Sequence, residues 1–245
     1  MTGSAHPRPW AVRGLQDRPP EGITLHVCDL DSDADMPLAL AWDLLAPDEA
    51  ARARRMRKPA DQARQARARA FLRRTLGAAL RVDPRSVRLD QGPNGKPELA
   101  HPRPAAAPEF NLSHSGGVAV LALSRIGPVG IDIERPERPF DPLDLAVTVL
   151  CPEETATLDA LPEADRMERF LLYWMAKEAR MKLTGEGMAL APGRIALALG
   201  EGGVPRGVQS PLFPAVDIHI VRVPGRREVC AIAMARTAGE VARCA

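Results

Sequence analysis

Apolar and polar residues alternate with a period of two in Ile23-Thr24-Leu25-His26-Val27, which predicts a strand with His26 on its outer face. Pro47-Asp48-Glu49 predicts a helix start, with Pro at the first position and acids in the first turn, although Ala46 is a poor N-cap. That helix runs to about Arg57, and Pro59 breaks it. A second helix spans about Asp61 to Leu80, with Ala66, Ala70, Leu76 and Ala79 among its apolar positions. Gln91–Pro97 is dense in turn residues, and residues 98–109 read as a Pro/Ala-rich loop. Phe110 and Leu112 alternate with Asn111 and Ser113 in a half-buried strand ending at His114, and Val118–Leu123 is an apolar strand. In Val129–Glu134, Ile131 and Ile133 point to one face of a strand and Asp132 and Glu134 to the other. Pro152-Glu153-Glu154 begins another helix, and Trp174–Lys182 is helix stopped by Gly185 and Gly187. Strands follow at Ile195–Leu199, Val216–Val223 and Val229–Ala233, and no simple short-period repeat is visible.

At 245 residues and 45% hydrophobic content the chain can bury a real core, as one large domain or two small lobes. Its charge is uneven. Residues 52–81 hold 11 basic residues and one acid, Asp61, while the remainder holds 22 basic and 30 acidic residues. A basic element on an acidic body points to an anionic ligand. One reading is a basic anion- or nucleic-acid-binding module built on residues 52–81. It is weakened because aromatic residues make up 4% of the chain and Phe71 alone interleaves with the arginines. Cys28, Cys151, Cys230 and Cys244 have no CxxC spacing, so neither a zinc site nor a disulfide framework is implied, and a cytoplasmic location is expected. The start of the chain has no secretory apolar region, and no apolar run is long enough to span a bilayer.

Trp174, Glu178 and Lys182 are four apart and share one helix face. A solvated face would explain Glu178 and Lys182 as a mild ion pair, but Trp174 turns the stripe partly inward. The 33 basic residues are 29 Arg and four Lys, at positions 58, 96, 177 and 182, so two of the four fall in this helix. The compact ammonium of Lys suits phosphate. Lys96 inside a turn suggests a further ligand contact. Asp132 and Glu134 on one strand face repel unless a cation lies between them, and one or two carboxylates with substrate phosphates are a usual way to hold Mg²⁺. A solvated acidic edge accounts for them equally well. Ser113-His114-Ser115-Gly116-Gly117 lacks the GxSxG elbow of a hydrolase and suits an oxyanion or phosphate loop better, with a plain hairpin turn as the alternative for Ser115 and Gly117. Arg52, Arg64 and Arg67 either line a solvated face or grip phosphate bidentately.

In order and spacing, four stretches together resemble the 4′-phosphopantetheinyl transferase superfamily, specifically its longer surfactin-synthetase-activating type. They are Asn94-Gly95-Lys96-Pro97, Phe110-Asn111-Leu112-Ser113-His114-Ser115, Gly130-Ile131-Asp132-Ile133-Glu134 and Trp174-x-x-Lys177-Glu178-x-x-x-Lys182. Pro47-Asp48-Glu49 with Arg52, Arg54, Arg55, Asp61 and Arg64 resembles the family's basic segment, and the resemblance covers about residues 22–235. It implies an α+β fold of two similar lobes in pseudo-twofold arrangement, each a small, mostly antiparallel sheet packed with helices. The expected division is a frayed 1–20, an N-terminal lobe over 21–128 and a C-terminal lobe over 129–245 bearing the catalytic helix. The implied activity moves 4′-phosphopantetheine from coenzyme A to a serine of an apo acyl or peptidyl carrier protein and releases adenosine 3′,5′-bisphosphate. Fatty-acid, polyketide and nonribosomal-peptide carriers all present such a serine. Position by position, the resemblance makes Asp132, Glu134 and Glu178 the Mg²⁺ ligands, and Glu178 also the base. Glu178, Lys182 and His114 become the catalytic set, with Lys182, His114 and Ser113 beside the coenzyme A phosphates. Gly95, Lys96 and Pro97 become the adenine-side contact, and Arg52 with Arg64 the 3′-phosphate grip. Glu49 stands where the family often has a Lys, so one phosphate contact is expected to be missing. Glu154 matches a further acid of the family. A monomer with internal pseudo-symmetry is expected, acting on neither nucleic acid nor membrane.

Overall fold

The computed structural model describes residues 10, 12–92, 94–135, 141–187, 190–210 and 214–236. Strand β1 (Ile23–Asp29) leads into helices α1 (Leu38–Leu44), α2 (Pro47–Arg54) and α3 (Pro59–Leu80). The hairpin β2 (Arg88–Gln91) and β3 (Pro97–His101) follows, then β4 (Glu109–Ser115) and β5 (Val118–Ser124). The second half begins with β6 (Val129–Glu134) and helices α4 (Pro142–Val149), α5 (Pro152–Asp159) and α6 (Glu163–Thr184). It ends with β7 (Leu197–Leu199), β8 (Pro205–Val208), β9 (Val216–Arg222) and β10 (Val229–Ala235). The ladders are antiparallel, in the orders β1-β5-β4, β6-β10-β9-β8-β7 and β2-β3.

The fold is α+β in two lobes, and one plan of elements occurs twice. Each lobe runs strand, short helices, a 22-residue helix, hairpin, strand, strand. Each sheet places its last strand between the first and the one before last: β1-β5-β4 in one lobe, β6-β10-β9 in the other. The repeat extends to buried charge. Glu49 is the third residue of α2 and Glu154 the third of α5, and each carboxylate accepts the N–H of its own N-cap, Ala46 or Cys151, at 3.0 Å. That bond explains how Ala46 can begin a helix without a polar side chain: Glu49 satisfies the orphan donor instead. Glu49 then pairs with Arg73, and Glu154 with Lys177, each at 2.6 Å. Arg73 is residue 15 of α3 and Lys177 is residue 15 of α6, so the two pairs are counterparts.

Three apolar clusters organise the molecule. One lies under α3 in the N-terminal lobe and one around α6 in the C-terminal lobe. The third joins them, with Ile23, Val118, Val120 and Ala122 against Ile131, Ile133, Val221 and Ile232. Odd-numbered residues of β1 and β6 therefore face the shared core, and even-numbered ones face their own long helix. Gly130 allows α6 to lie directly on β6, because a Cβ there would overlap the Ala179 carbonyl.

Several expectations change. The segment expected to fray is docked at two points: Trp10 is buried in the C-terminal core, and the Gln16 backbone bonds Ile220 and Arg222 at 2.9 and 2.8 Å. β8 pairs with β9 only at Gly207–Asp217, so the far end of β9 has a free edge for Gln16 to take. Residues 1–9, part of that same expectation, lie outside the described residues, as do Cys244 and the end of the C-terminal lobe. Residues 98–101, read as loop, are strand. Ala79 is exposed. α2 stops at Arg54, where the Gln62 amide donates to the carbonyls of Met56 (2.9 Å) and Arg54 (3.4 Å). Part of the basic stretch 52–81 is turned inward, while Arg52, Arg54, Arg55, Arg57, Lys58 and Arg81 are exposed. Arg67 donates to the Leu30 and Met36 carbonyls, Arg69 and Arg73 to Glu49, and Arg74 to the Asp35 carbonyl. These four of the 11 basic residues serve the fold and leave the charge that suggested a nucleic-acid surface reduced. Cys28, Cys151 and Cys230 are free and buried, and burial pushes the Cys28 thiol up to about 11 and that of Cys230 to about 12. Among the described residues no helix is long and apolar enough to cross a membrane.

Candidate active site

The site forms where the two sheets meet edge to edge. β6 is an edge strand, and its outer N–H groups need partners. β4 supplies them from side chains: the Ile131 N–H donates to Asn111 Oδ1 at 2.8 Å, and the Ile133 N–H to Ser113 Oγ at 3.4 Å. β4 is thus buried on both faces, where a half-buried strand was expected, with Phe110 in the N-terminal core. Asn111, Ser113 and Ser115 are buried while Leu112 is only half-buried, because the polar face is the one pressed against the other lobe.

The same face meets the two acids of β6. Ser113 Oγ donates to Asp132 Oδ1 at 2.9 Å, and Ser115 Oγ to Glu134 Oε2 at 2.8 Å. Serines two apart on β4 thus address carboxylates two apart on β6. Lys182 Nζ completes the knot, 2.6 Å from Asp132 Oδ1 and 3.0 Å from Ser113 Oγ. It is carried there by the last turn of α6, which Gly185 closes in the left-handed conformation (φ 74°). Asp132 is thus a buried acid, and the solvated edge is ruled out for it. Glu178, one turn before Lys182, is half-buried beside both acids. Burial lifts its carboxyl above the usual range, with Asp132 and Glu134 adding to the effect and Lys182 opposing it. His114 points the opposite way from Ser113, toward the α3 side of β4. Its side chain reaches solvent, and its pKa is lowered by the packing around it first, then by Lys182 and Arg64.

The donors suit a hard cation. Asp132 Oδ2 is buried with no hydrogen-bond partner, a carboxylate oxygen left for something other than the protein. Glu134 raises the proton affinity of Asp132, and both acids raise that of Glu178, so the three lie within electrostatic range, and all offer oxygen. Among the described residues no group of three or more His, Cys, Asp or Glu side chains is drawn together as a finished metal site. The Lys182 ammonium occupies the other oxygen of Asp132 and supplies the counter-charge.

Other expected residues fall into three groups. Arg64 reaches the α3 side of the site, within electrostatic range of His114, and holds Asp31 in a two-pronged pair at 2.6 and 2.9 Å. Arg52 is exposed at the end of α2 and, among the described residues, makes no hydrogen bond or ion pair with any of these groups. The β2–β3 turn arches onto the end of α6: Asn94 donates to the Gly185 carbonyl at 2.7 Å and Lys96 to that of Leu183 at 3.2 Å. Gly95 has φ 80° in that turn, and Lys96 and Pro97 form one wall of a cavity of about 410 Å³ against Glu109 and Phe110. Pro93 lies outside the described residues. Lys177, the other Lys of the helix, faces away from phosphate chemistry. It is fully buried, on Glu154 and on the carbonyls of Val149 and Pro192. Glu49 is likewise a buried structural acid. Sequence reasoning gave no role to Asn111 or Glu154 and read Ser115 as part of a phosphate loop or a plain turn; the matching two-residue periods of Asn111-x-Ser113-x-Ser115 and Asp132-x-Glu134 were the available signal for the strand-to-strand pairing.

Residues 33–125 match the family described as 4′-phosphopantetheinyl transferase, N-terminal, and residues 128–233 match the 4′-phosphopantetheinyl transferase superfamily. The 4′-phosphopantetheinyl transferase HetI of Nostoc sp. is 37% identical over 158 residues, 63% of this chain and 67% of that protein. A phosphopantetheinyl transferase of Thraustochytrium sp. is 34% identical over 169 residues, 64% of this chain and 58% of that protein. The chain therefore spans between about half and two thirds of the length of these relatives. Two matches that meet between β5 and β6, and an identity that extends over two thirds of a relative, place the chain in the 4′-phosphopantetheinyl transferase superfamily.

Proposed function

We propose that the chain transfers the 4′-phosphopantetheine arm of coenzyme A to a serine hydroxyl of an apo acyl or peptidyl carrier protein. The observation that carries this reading is the buried Asp132 with one oxygen on Lys182 and the other unpartnered, beside Glu134 and Glu178. Asp132, Glu134 and Glu178 would hold Mg²⁺. When bound, that ion supplies charge neutralisation to the pyrophosphate oxygens. Glu178 accepts the serine proton as the serine oxygen bonds to the phosphorus bearing pantetheine. The bond from that phosphorus to the bridging oxygen breaks, and adenosine 3′,5′-bisphosphate leaves with the electron pair. Lys182 counters the charge that grows on the leaving phosphate. Ser113 keeps Lys182 and Asp132 in register, and Ser115 orients Glu134. On the other side of β4, His114 and Arg64 bind the 3′-phosphate, and the cavity walled by Lys96 and Pro97 takes the adenine. Incubation with coenzyme A, Mg²⁺ and a panel of apo carriers should add one phosphopantetheine arm to at least one carrier by intact mass. No gain with any carrier would sink the reading.

Arg64 also tests the 3′-phosphate assignment. Its fork is engaged with Asp31, half exposed to water, so a phosphate can compete for it at small cost. Arg64→Ala is expected to raise KM for coenzyme A by roughly tenfold, the value of a charge-assisted contact, and to leave KM for 3′-dephospho-coenzyme A near wild type. Equal effects on both substrates would return Arg64 to a purely structural pair with Asp31.

A further inference from the structure

The repeated plan gives the catalytic cluster an internal counterpart. β1 and β6 alternate alike, so Thr24 and His26 stand where Gly130 and Asp132 stand. On the long helices, Arg74 and Ala78 are residues 16 and 20 of α3, as Glu178 and Lys182 are residues 16 and 20 of α6. Two consequences follow from these exchanges. Thr24 cannot admit the close approach that Gly130 allows, and a groove of about 700 Å³ remains between α3 and the β1–β5 face. The acids are also gone: His26 and Arg74 replace Asp132 and Glu178, Arg125 joins them from the end of β5, and no carboxylate lines the groove.

We propose that this groove is a second ligand site, for an amphipathic monocarboxylate. Its floor is apolar, built from Phe71, Pro108 and Leu123, and its volume falls in the usual range for small-molecule sites. Arg74 is held in place by its bond to the Asp35 carbonyl at 2.8 Å, and Arg125 is exposed with no ion pair among the described residues. Burial lowers the pKa of His26, which leaves a neutral ring able to share a hydrogen bond with a head group. A bare phosphate would leave the apolar floor uncovered, and a hydrocarbon would leave two guanidinium groups unused. A short acyl chain ending in a carboxylate satisfies both. The groove meets the Lys96–Pro97 cavity only at Pro108 and contains no residue assigned to transfer, so the site stands apart from the transferase reading.

Calorimetric titration of the full chain with octanoate tests it, with 1-octanol as the uncharged control. Octanoate should bind one site with Kd roughly 0.1–1 mM, as expected for a ligand of about ten heavy atoms. 1-Octanol should bind about tenfold more weakly, the share of a charge-assisted contact. Arg125→Glu should erase that margin, and Ala78→Trp, which fills the groove from an exposed position, should remove binding of both. Absence of saturable octanoate binding, equal affinity for octanol, or binding unchanged in both variants would each overturn the proposal.

Discussion

Glu178→Gln is expected to bind coenzyme A within a few-fold of wild type while its single-turnover rate falls by roughly 10²–10⁴, the span of a lost acid–base group. Glutamine keeps the size of the side chain and one carbonyl oxygen, so the face that α6 presents to β6 is unchanged. What disappears is the ability to take a proton. The environment suits that role: burial and the neighbouring acids make Glu178 a stronger base than a surface glutamate, and Lys182 one turn on limits the effect. Calorimetric affinity and rapid-quench transfer to a carrier, measured on the same preparation, separate the two effects. A variant that lost binding but kept its chemical step would make Glu178 a structural residue of the helix and would remove the base from the mechanism.

The parts of this site that follow short-period patterns were legible in advance. The alternation of Ile131 and Ile133 with Asp132 and Glu134 gave a strand with paired acids. The four-residue spacing of Glu178 and Lys182, closed by Gly185, gave a helix that brings a carboxylate and an ammonium to one place. Burial was harder to foresee. Polar residues on β4 looked like the outer face, and only the second sheet edge, nearly 20 residues later, shows why Asn111 and Ser113 are inside. Lysine scarcity drew attention to Lys177 and Lys182 equally. Their fates differ because the five steps between them, at about 100° each, turn the two side chains roughly 140° apart, one into the core and one into the cleft. The duplicated plan, implied by the family resemblance, was not visible in the residues themselves for a related reason. It is carried by element order and by position in the helix, while the residues themselves changed: Arg73 for Lys177, His26 for Asp132. α1, α4 and β8 escaped notice because each is short and its apolar residues do not alternate cleanly.

The pair formed by Glu154 and Lys177 should be the most sensitive part of the fold. Glu154→Ala is expected to lower unfolding free energy by about 3–5 kcal/mol, the cost of removing one partner from a buried ion pair. Three groups depend on that carboxylate. Lys177 Nζ lies 2.6 Å from Oε2, the Cys151 N–H caps α5 through Oε2, and the Leu197 N–H of β7 donates to Oε1 at 2.9 Å. Without it a fully buried ammonium keeps only the Val149 and Pro192 carbonyls, and two backbone donors lose their acceptor. Water cannot replace the missing oxygen easily, since Lys177 is 0% and Glu154 3% exposed. Lys177→Met combined with Glu154→Leu should recover much of the loss, because the charge is then removed with its partner. Denaturant titration of the wild type and the two variants measures this, and a loss under about 1 kcal/mol in Glu154→Ala would show that the core relaxes around the free ammonium. The effect on chemistry should follow from position: Lys177 immediately precedes Glu178, so a core that readjusts around Lys177 turns α6 and moves the base. Glu154→Ala that is still folded should therefore lose rate while coenzyme A affinity changes little, the pattern of a positioning residue and not of a phosphate contact.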